Sequence, residues 1–141
     1  MPGKNLILYA EDDQDDCYLL KEAFSAYERT VELRMFTDGD YLLEHVRSLT
    51  ASDAVPCLVI LDINLPRMDG KTVLRNLRTM PRYREMPVVL FSTSASYEDQ
   101  AFAKEYGATY ITKPRTYSEL CQAAHQMINL CAEDSRKSIL G

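Results

Sequence analysis

The chain reads as an α/β protein built on one five-stranded parallel sheet with helices packed on both faces. Three observations predict this. Five short apolar runs, at 5–10, 31–36, 57–62, 87–92 and 108–112, alternate with five stretches that carry apolar residues at helical spacing. The connections between them are short. Several runs are apolar throughout, which marks strands buried on both sides, as in parallel sheets.

In order, Asn-Leu-Ile-Leu-Tyr-Ala at 5–10 forms a buried first strand and ends in Glu11-Asp12-Asp13-Gln14-Asp15-Asp16. From Gln14 or Asp15 to about Tyr27, residues Cys17, Leu19, Leu20, Ala23, Phe24 and Tyr27 predict a helix. Run 31–36 alternates through Val31, Leu33 and Met35 and ends at Phe36, as an edge strand does. Asp38 caps a second helix reaching about Leu49, with Leu42, Leu43 and Val46 inward. A loop at 51–56 leads to the central strand, 57–62. Beyond Gly70, Val73, Leu74 and Leu77 form a helix stripe that stops near Pro81. Run 87–92 opens with proline, where a missing N–H is tolerated. Ser96-Tyr97-Glu98-Asp99 opens a shorter helix that Gly107 caps, and 108–112 is the fifth strand. Thr116-Tyr117-Ser118-Glu119 is a capping box for a last helix through about Cys131. The polar remainder, 132–141, is expected to fray. The expected organisation is one domain over 1–141 with its core at about 5–131.

The composition, 46% apolar and 26% charged, is that of a globular domain. A net charge of −5 gives no general attraction to nucleic acid. Arg75, Arg78, Arg82 and Arg84 are read as a solvated helix face and loop. No segment has the ~20 apolar residues that span a bilayer, and the start, Met1-Pro2-Gly3-Lys4, lacks a signal-peptide core. A cytoplasmic protein is expected. Cys17, Cys57, Cys121 and Cys131 have no paired spacing and no neighbouring histidine. They are expected to be reduced thiols packed as small hydrophobes.

The chemistry gathers around Leu58-Val59-Ile60-Leu61-Asp62-Ile63-Asn64-Leu65-Pro66-Arg67-Met68-Asp69-Gly70, an apolar run that delivers one carboxylate and then turns. Ligands of open α/β sheets bind beyond the carboxyl ends of the strands. In a parallel sheet that edge collects Glu11, Asp12 and Asp13 from the first strand, Asp62 from the third, Thr93 and Ser94 from the fourth, and Lys113 from the fifth. Converging carboxylates need a cation, and oxygen-only donors suit a hard ion such as Mg²⁺. A lysine and a hydroxyl beside them supply a countercharge and a donor for a phosphoryl group. The edge therefore suggests phosphoryl chemistry with Asp62 as the attacking carboxylate.

Four pieces, Leu6-Ile7-Leu8-Tyr9-Ala10-Glu11-Asp12-Asp13, Leu61 through Gly70, Ser92-Thr93-Ser94 and Ile111-Thr112-Lys113-Pro114, occur in this order over nearly the whole chain. In them the sequence resembles the receiver domain of bacterial two-component response regulators, of the stand-alone type. The resemblance implies a flavodoxin-like (βα)5 doubly wound fold with strand order 2-1-3-4-5. It implies that Asp62 accepts a phosphoryl group from a histidine kinase or phosphotransfer protein, with no output domain and no catalysis beyond its own phosphorylation and dephosphorylation. Glu11, Asp12, Asp62 and the main-chain carbonyl of Asn64 would hold Mg²⁺. Lys113 would pair with a phosphoryl oxygen, and its bond to Pro114 is typically cis in the family. Thr93 would be the switch hydroxyl and Tyr110 the aromatic that moves with it. Together they would alter a face made by helix four, strand five and helix five, where a downstream protein or a second copy would bind. Tyr97, Tyr106, Tyr110 and Tyr117 are assigned to that face.

The sequence departs from the family pattern at Glu11, where aspartate is more frequent, and at Ser94, where a smaller residue is common. Asn64 and Ala95 occupy positions that modulate loss of the phosphoryl group, and Ala95 offers nothing to steer a water. Asp13 is assigned to the surroundings of the metal, and Asp15 and Asp16 are read as capping residues of the first helix, where the helix dipole favours carboxylates. The alternative is a Mg²⁺-dependent phosphohydrolase working through an aspartyl phosphate, but such an enzyme wants a carboxylate where Asn64 stands. A flavodoxin-like cofactor binder is disfavoured by the acidic, glycine-free loop after the first strand.

Overall fold

The structure, a computed structural model, describes residues 4–134. The strands are β1 (Asn5–Ala10), β2 (Val31–Phe36), β3 (Leu58–Asp62), β4 (Val88–Ser92) and β5 (Thr109–Thr112). The helices are α1 (Gln14–Phe24), α2 (Gly39–Ser48), α3 (Gly70–Arg78), α4 (Tyr97–Glu105) and α5 (Tyr117–Ala132). A 3₁₀ turn, Ser25–Tyr27, finishes the first helical stretch. The sheet is parallel throughout in the order β2-β1-β3-β4-β5. This is the expected doubly wound fold. Of the expected frayed tail, 135–141 lies outside the described residues.

Local chemistry explains the helix starts. Asp13, Asp38, Asp69, Ser96 and Thr116 each accept backbone N–H groups of the first turn that they cap, satisfying donors that have no partner within the helix. Gly107 ends the α4 region at φ 66°, a left-handed conformation that glycine adopts without a β-carbon clash.

Two apolar layers sandwich the sheet. On one face α1 and α5 cover Ile7, Tyr9, Leu58, Ile60, Val89 and Phe91. On the other, α2, α3 and α4 cover Leu6, Leu8, Val59, Leu61, Val88 and Leu90. Each fully buried Leu or Ile contributes roughly 1.5–3 kcal/mol. The register sets Ala10 beside Leu61, Asp62 beside Phe91 and Ser92 beside Thr112, so the last residues of four strands reach one edge.

Several expectations are corrected. Leu19 of the α1 stripe is exposed, and Leu20, Ala23 and Phe24 carry the burial. Cys57 and Cys131 are joined in a disulfide across 74 residues, with Cα atoms 4.9 Å apart, while Cys17 and Cys121 are free thiols. Sequence spacing was uninformative because the chain before β3 and the last turn of α5 meet only in the fold. Arg78 is half-buried and bonded to backbone rather than a solvated surface charge. Its guanidinium donates to the carbonyls of Tyr83, Met86, Tyr106 and Gly107, where the turn after α3 and the turn after α4 leave carbonyls outside regular ladders. Arg75, Arg82 and Arg84 are exposed as expected; Arg75 lies over the rings of Phe102 and Tyr106, and Arg82 donates to the carbonyls of Leu49 and Thr50. Tyr106 therefore packs toward α3 and not on the face assigned to it. Tyr117 is half-exposed at the start of α5. The Lys113–Pro114 bond is trans, as is every peptide bond among the described residues; an X–Pro bond favours trans by about 0.5–1 kcal/mol unless its surroundings select cis.

Candidate functional site

The strand-end edge is where the sheet order places it. Glu11 leaves β1 buried and Asp12 beside it is exposed; Asp62 ends β3 at 6% exposure. Carboxylate oxygens of Glu11, Asp12 and Asp62 lie within 4.8 Å of one another. Three acidic oxygen donors at that separation fit a hard divalent cation, with no histidine or thiolate in the set. A divalent-cation site is therefore supported at these three residues.

Lys113, just past β5, enters from the opposite side. Its ammonium donates to Glu11 Oε1 at 2.5 Å, Asp16 Oδ2 at 2.8 Å and Asp62 Oδ2 at 3.1 Å. Its backbone N–H bonds the Ser92 carbonyl at 2.7 Å, which fixes the strand end from which it projects. Burial works against the lysine charge, but the Asp16 and Glu11 carboxylates outweigh it and hold its pKa above the ordinary value.

Glu11 is the most constrained carboxylate. Oε1 accepts the Tyr9 hydroxyl at 3.2 Å as well as Lys113, and Oε2 accepts the Asp13 backbone N–H at 3.1 Å. Burial, reinforced by the Asp62 carboxyl, pushes its pKa up to about 7 despite Lys113. Burial, reinforced by the Glu11 carboxylate, pushes the Tyr9 phenol upward, so Tyr9 stays a donor.

The loop after β3 is tied down at several points. The Asn64 N–H donates to Asp62 Oδ1 at 3.0 Å, orienting the carboxylate. Arg67 sits at φ 63° and ion-pairs with Asp38, the buried cap of α2. Asp69 caps α3, and the Gly70 N–H bonds the Ile63 carbonyl at 3.0 Å.

Thr93 is exposed beyond β4, on the edge where Asp62 lies. The Ser92 hydroxyl accepts the Ser94 N–H at 3.1 Å, and the Ser94 hydroxyl accepts the Ser96 N–H at 3.1 Å, so this loop is built from serine turns. The half-buried Tyr110 donates its hydroxyl to the Ser94 carbonyl, linking β5 to the same loop. Pro114 follows Lys113 and is half-buried. Asp13, and not Asp15 or Asp16, caps α1: its carboxylate accepts the N–H groups of both.

Asp16 is the residue that sequence reasoning missed. By position it is a capping carboxylate at a helix start, yet its side chain pairs with Lys113. Its position one helical turn after Asp12, on the side facing the edge, was the only available signal. Tyr9 reads as strand core, and its hydroxyl bond to Glu11 has no sequence signature.

A doubly wound fold with an acidic cluster and a lysine at its carboxyl edge defines the class of phosphoryl-handling signalling domains. The response regulator receiver domain family matches residues 7–125, and the chain belongs to that family. Response regulator Rcp1 of Synechocystis sp. is 30% identical over 118 residues, covering 82% of this chain and 80% of Rcp1. The crystal structure of the phosphorylated cyanobacterial phytochrome response regulator RcpA superposes with a TM-score of 0.82 at 28% identity, covering 92% of this chain and 95% of RcpA. The Mn²⁺-bound form of Rcp1 superposes with a TM-score of 0.76 at 28% identity, covering 86% and 90%. The family is one of signalling modules that interact with histidine kinases and downstream targets. Among the described residues no helix is long and apolar enough to cross a membrane.

Proposed function

We propose that Asp62 is the phosphoacceptor of this receiver, taking a phosphoryl group from a histidine kinase or phosphotransfer protein. The observation that carries this reading is the meeting at Asp62 of a lysine ammonium at 3.1 Å with the two acidic side chains Glu11 and Asp12. Asp62 Oδ1 or Oδ2 attacks phosphorus in line with the phosphohistidine leaving nitrogen, forming an acyl phosphate. Lys113 neutralises charge on the transferred oxygens. Glu11, Asp12, Asp62 and the Asn64 carbonyl are the proposed ligands of Mg²⁺, which when bound offsets charge on the phosphoryl oxygens.

Thr93 then donates its hydroxyl to the phosphoryl group. That movement draws on the loop through Ser94, whose carbonyl Tyr110 holds. Phosphorylation thereby biases two conformers of the face formed by α4, β5 and α5. A downstream protein reads that face, and a homodimer through it is the assembly to test first; Tyr97, 85% exposed on α4, is its most accessible aromatic. Rcp1 and RcpA, being response regulators, support the signalling reading over a phosphohydrolase. The site sits on an open edge with Asn64, and not a carboxylate, two residues after Asp62. We place the protein in the cytoplasm with such kinases. There the Cys57–Cys131 bridge is shielded from exchange by burial, with Cys57 3% and Cys131 1% exposed.

The test is intact-mass measurement after incubation with acetyl phosphate and Mg²⁺. One adduct of about 80 Da (a single phosphoryl group) is expected in the native chain and none in Asp62→Asn. Continuous phosphate release without an adduct would favour the phosphohydrolase and overturn the receiver mechanism.

A further inference from the structure

An ammonium has three N–H donors. In this structure those of Lys113 face three carboxylates, on Glu11, Asp16 and Asp62. If Asp62 carries a phosphoryl group, as proposed above, that group brings up to about two negative charges and needs one of these donors. One acceptor must give way. Glu11 is the wrong candidate: its side chain is 1% exposed and is also held by the Tyr9 hydroxyl and the Asp13 N–H. Releasing it would bury an unpaired charge. Asp62 is the group being modified. The Asp16 side chain is 35% exposed on the first turn of α1, so it can rotate into water and exchange the ammonium for hydration.

We propose that Asp16 is a positioning residue that holds the Lys113 ammonium while Asp62 is unphosphorylated and cedes it to the phosphoryl group, so that the Asp16–Lys113 ion pair opposes phosphoryl capture. Helix capping does not account for this contact. The α1 cap is Asp13, and the Asp16 carboxylate points across to the end of β5, 97 residues away in the chain. The ion pair also couples the start of α1 to Lys113, and phosphorylation releases that coupling.

The experiment is titration of the full chain with beryllofluoride in the presence of Mg²⁺, followed by ¹⁹F NMR, in native, Asp16→Asn, Asp16→Glu and Asp62→Asn forms. Beryllofluoride on a carboxylate imitates the phosphoryl group without covalent turnover. Asp16→Asn should bind roughly fivefold more tightly, the size of a partly exposed ion pair, and Asp16→Glu should return affinity toward the native value. Asparagine keeps the local polarity and size at the helix start, so a purely structural role would leave affinity unchanged. Unchanged or weaker binding by Asp16→Asn overturns the proposal. Failure of the native chain to bind, with Asp62→Asn identical to it, overturns the phosphoryl reading of the site and this proposal with it.

Discussion

Gly70 lies against the backbone of Asp62: a β-carbon at position 70 would collide with the Asp62 carbonyl, 2.9 Å from its carbon and 3.1 Å from the Cα of Ile63. The first turn of α3 is thus seated directly behind the proposed nucleophile. The loop from 63 to 69 is held to one path by that contact, by the Asp69 cap and by the Arg67–Asp38 ion pair.

Gly70→Ala forces the α3 start and the Asp62 strand end apart, because the obstructing atoms are backbone and cannot rotate away. Overpacking of this kind costs about 1–3 kcal/mol. Urea unfolding should show that loss. Acetyl phosphate labelling should slow more than in Gly107→Ala, where strain arises far from Asp62.

Glu11 makes metal binding depend on pH. Its folded pKa, raised to about 7, lies above its ordinary value of 4.5, so between those pH values the folded protein holds a proton that the unfolded chain has lost. Metal-free stability therefore falls as pH rises through this window and levels off above it. A divalent cation must displace the same proton, so its affinity should rise from pH 5 to about 7 and then plateau. Calorimetric titration with Mg²⁺ or Mn²⁺ checks this. In Glu11→Gln the rise over that window should disappear.

Arg78→Ala should destabilise the fold by about 2–4 kcal/mol, because carbonyls of Tyr83, Met86, Tyr106 and Gly107 lose a charged donor in a partly buried place. Arg78→Lys should recover only part of this, since an ammonium cannot reproduce the guanidinium fork. Hydrogen exchange should quicken at the turn joining α4 to β5 in both variants.

Removing the Cys57–Cys131 bridge should lower stability by about 4 kcal/mol, the loop-closure entropy of a crosslink spanning 74 residues. Cys57→Ala with Cys131→Ala should lower the unfolding temperature. Adding a reductant to that double variant should have no further effect. Phosphoryl labelling of the variant at low temperature should persist, because the bridge lies at the opposite end of β3 from Asp62.

Much of the architecture was legible one element at a time. Strand runs such as Leu58–Asp62, the helix caps at Asp38 and Thr116, and the stop at Gly107 are set by free energies local to a few residues, so the sequence records them directly. Parallel pairing then brings the ends of β1, β3, β4 and β5 to one edge, so the meeting of Glu11, Asp12, Asp62 and Lys113 followed from topology alone.

Other features had no local signature. Arg78 reads as one more basic residue on a helix until the turns after α3 and α4 bring their carbonyls to it. Cys57 and Cys131 look like isolated apolar residues until α5 lies across the start of β3. Asp16 resembles an ordinary helix-start carboxylate until β5 delivers Lys113 to within 2.8 Å. Strand, helix and cap preferences are decided among neighbours in the chain. The partner of a charge or thiol is decided by which distant residue packing brings within about 3 Å, and only the folded sheet sets that distance.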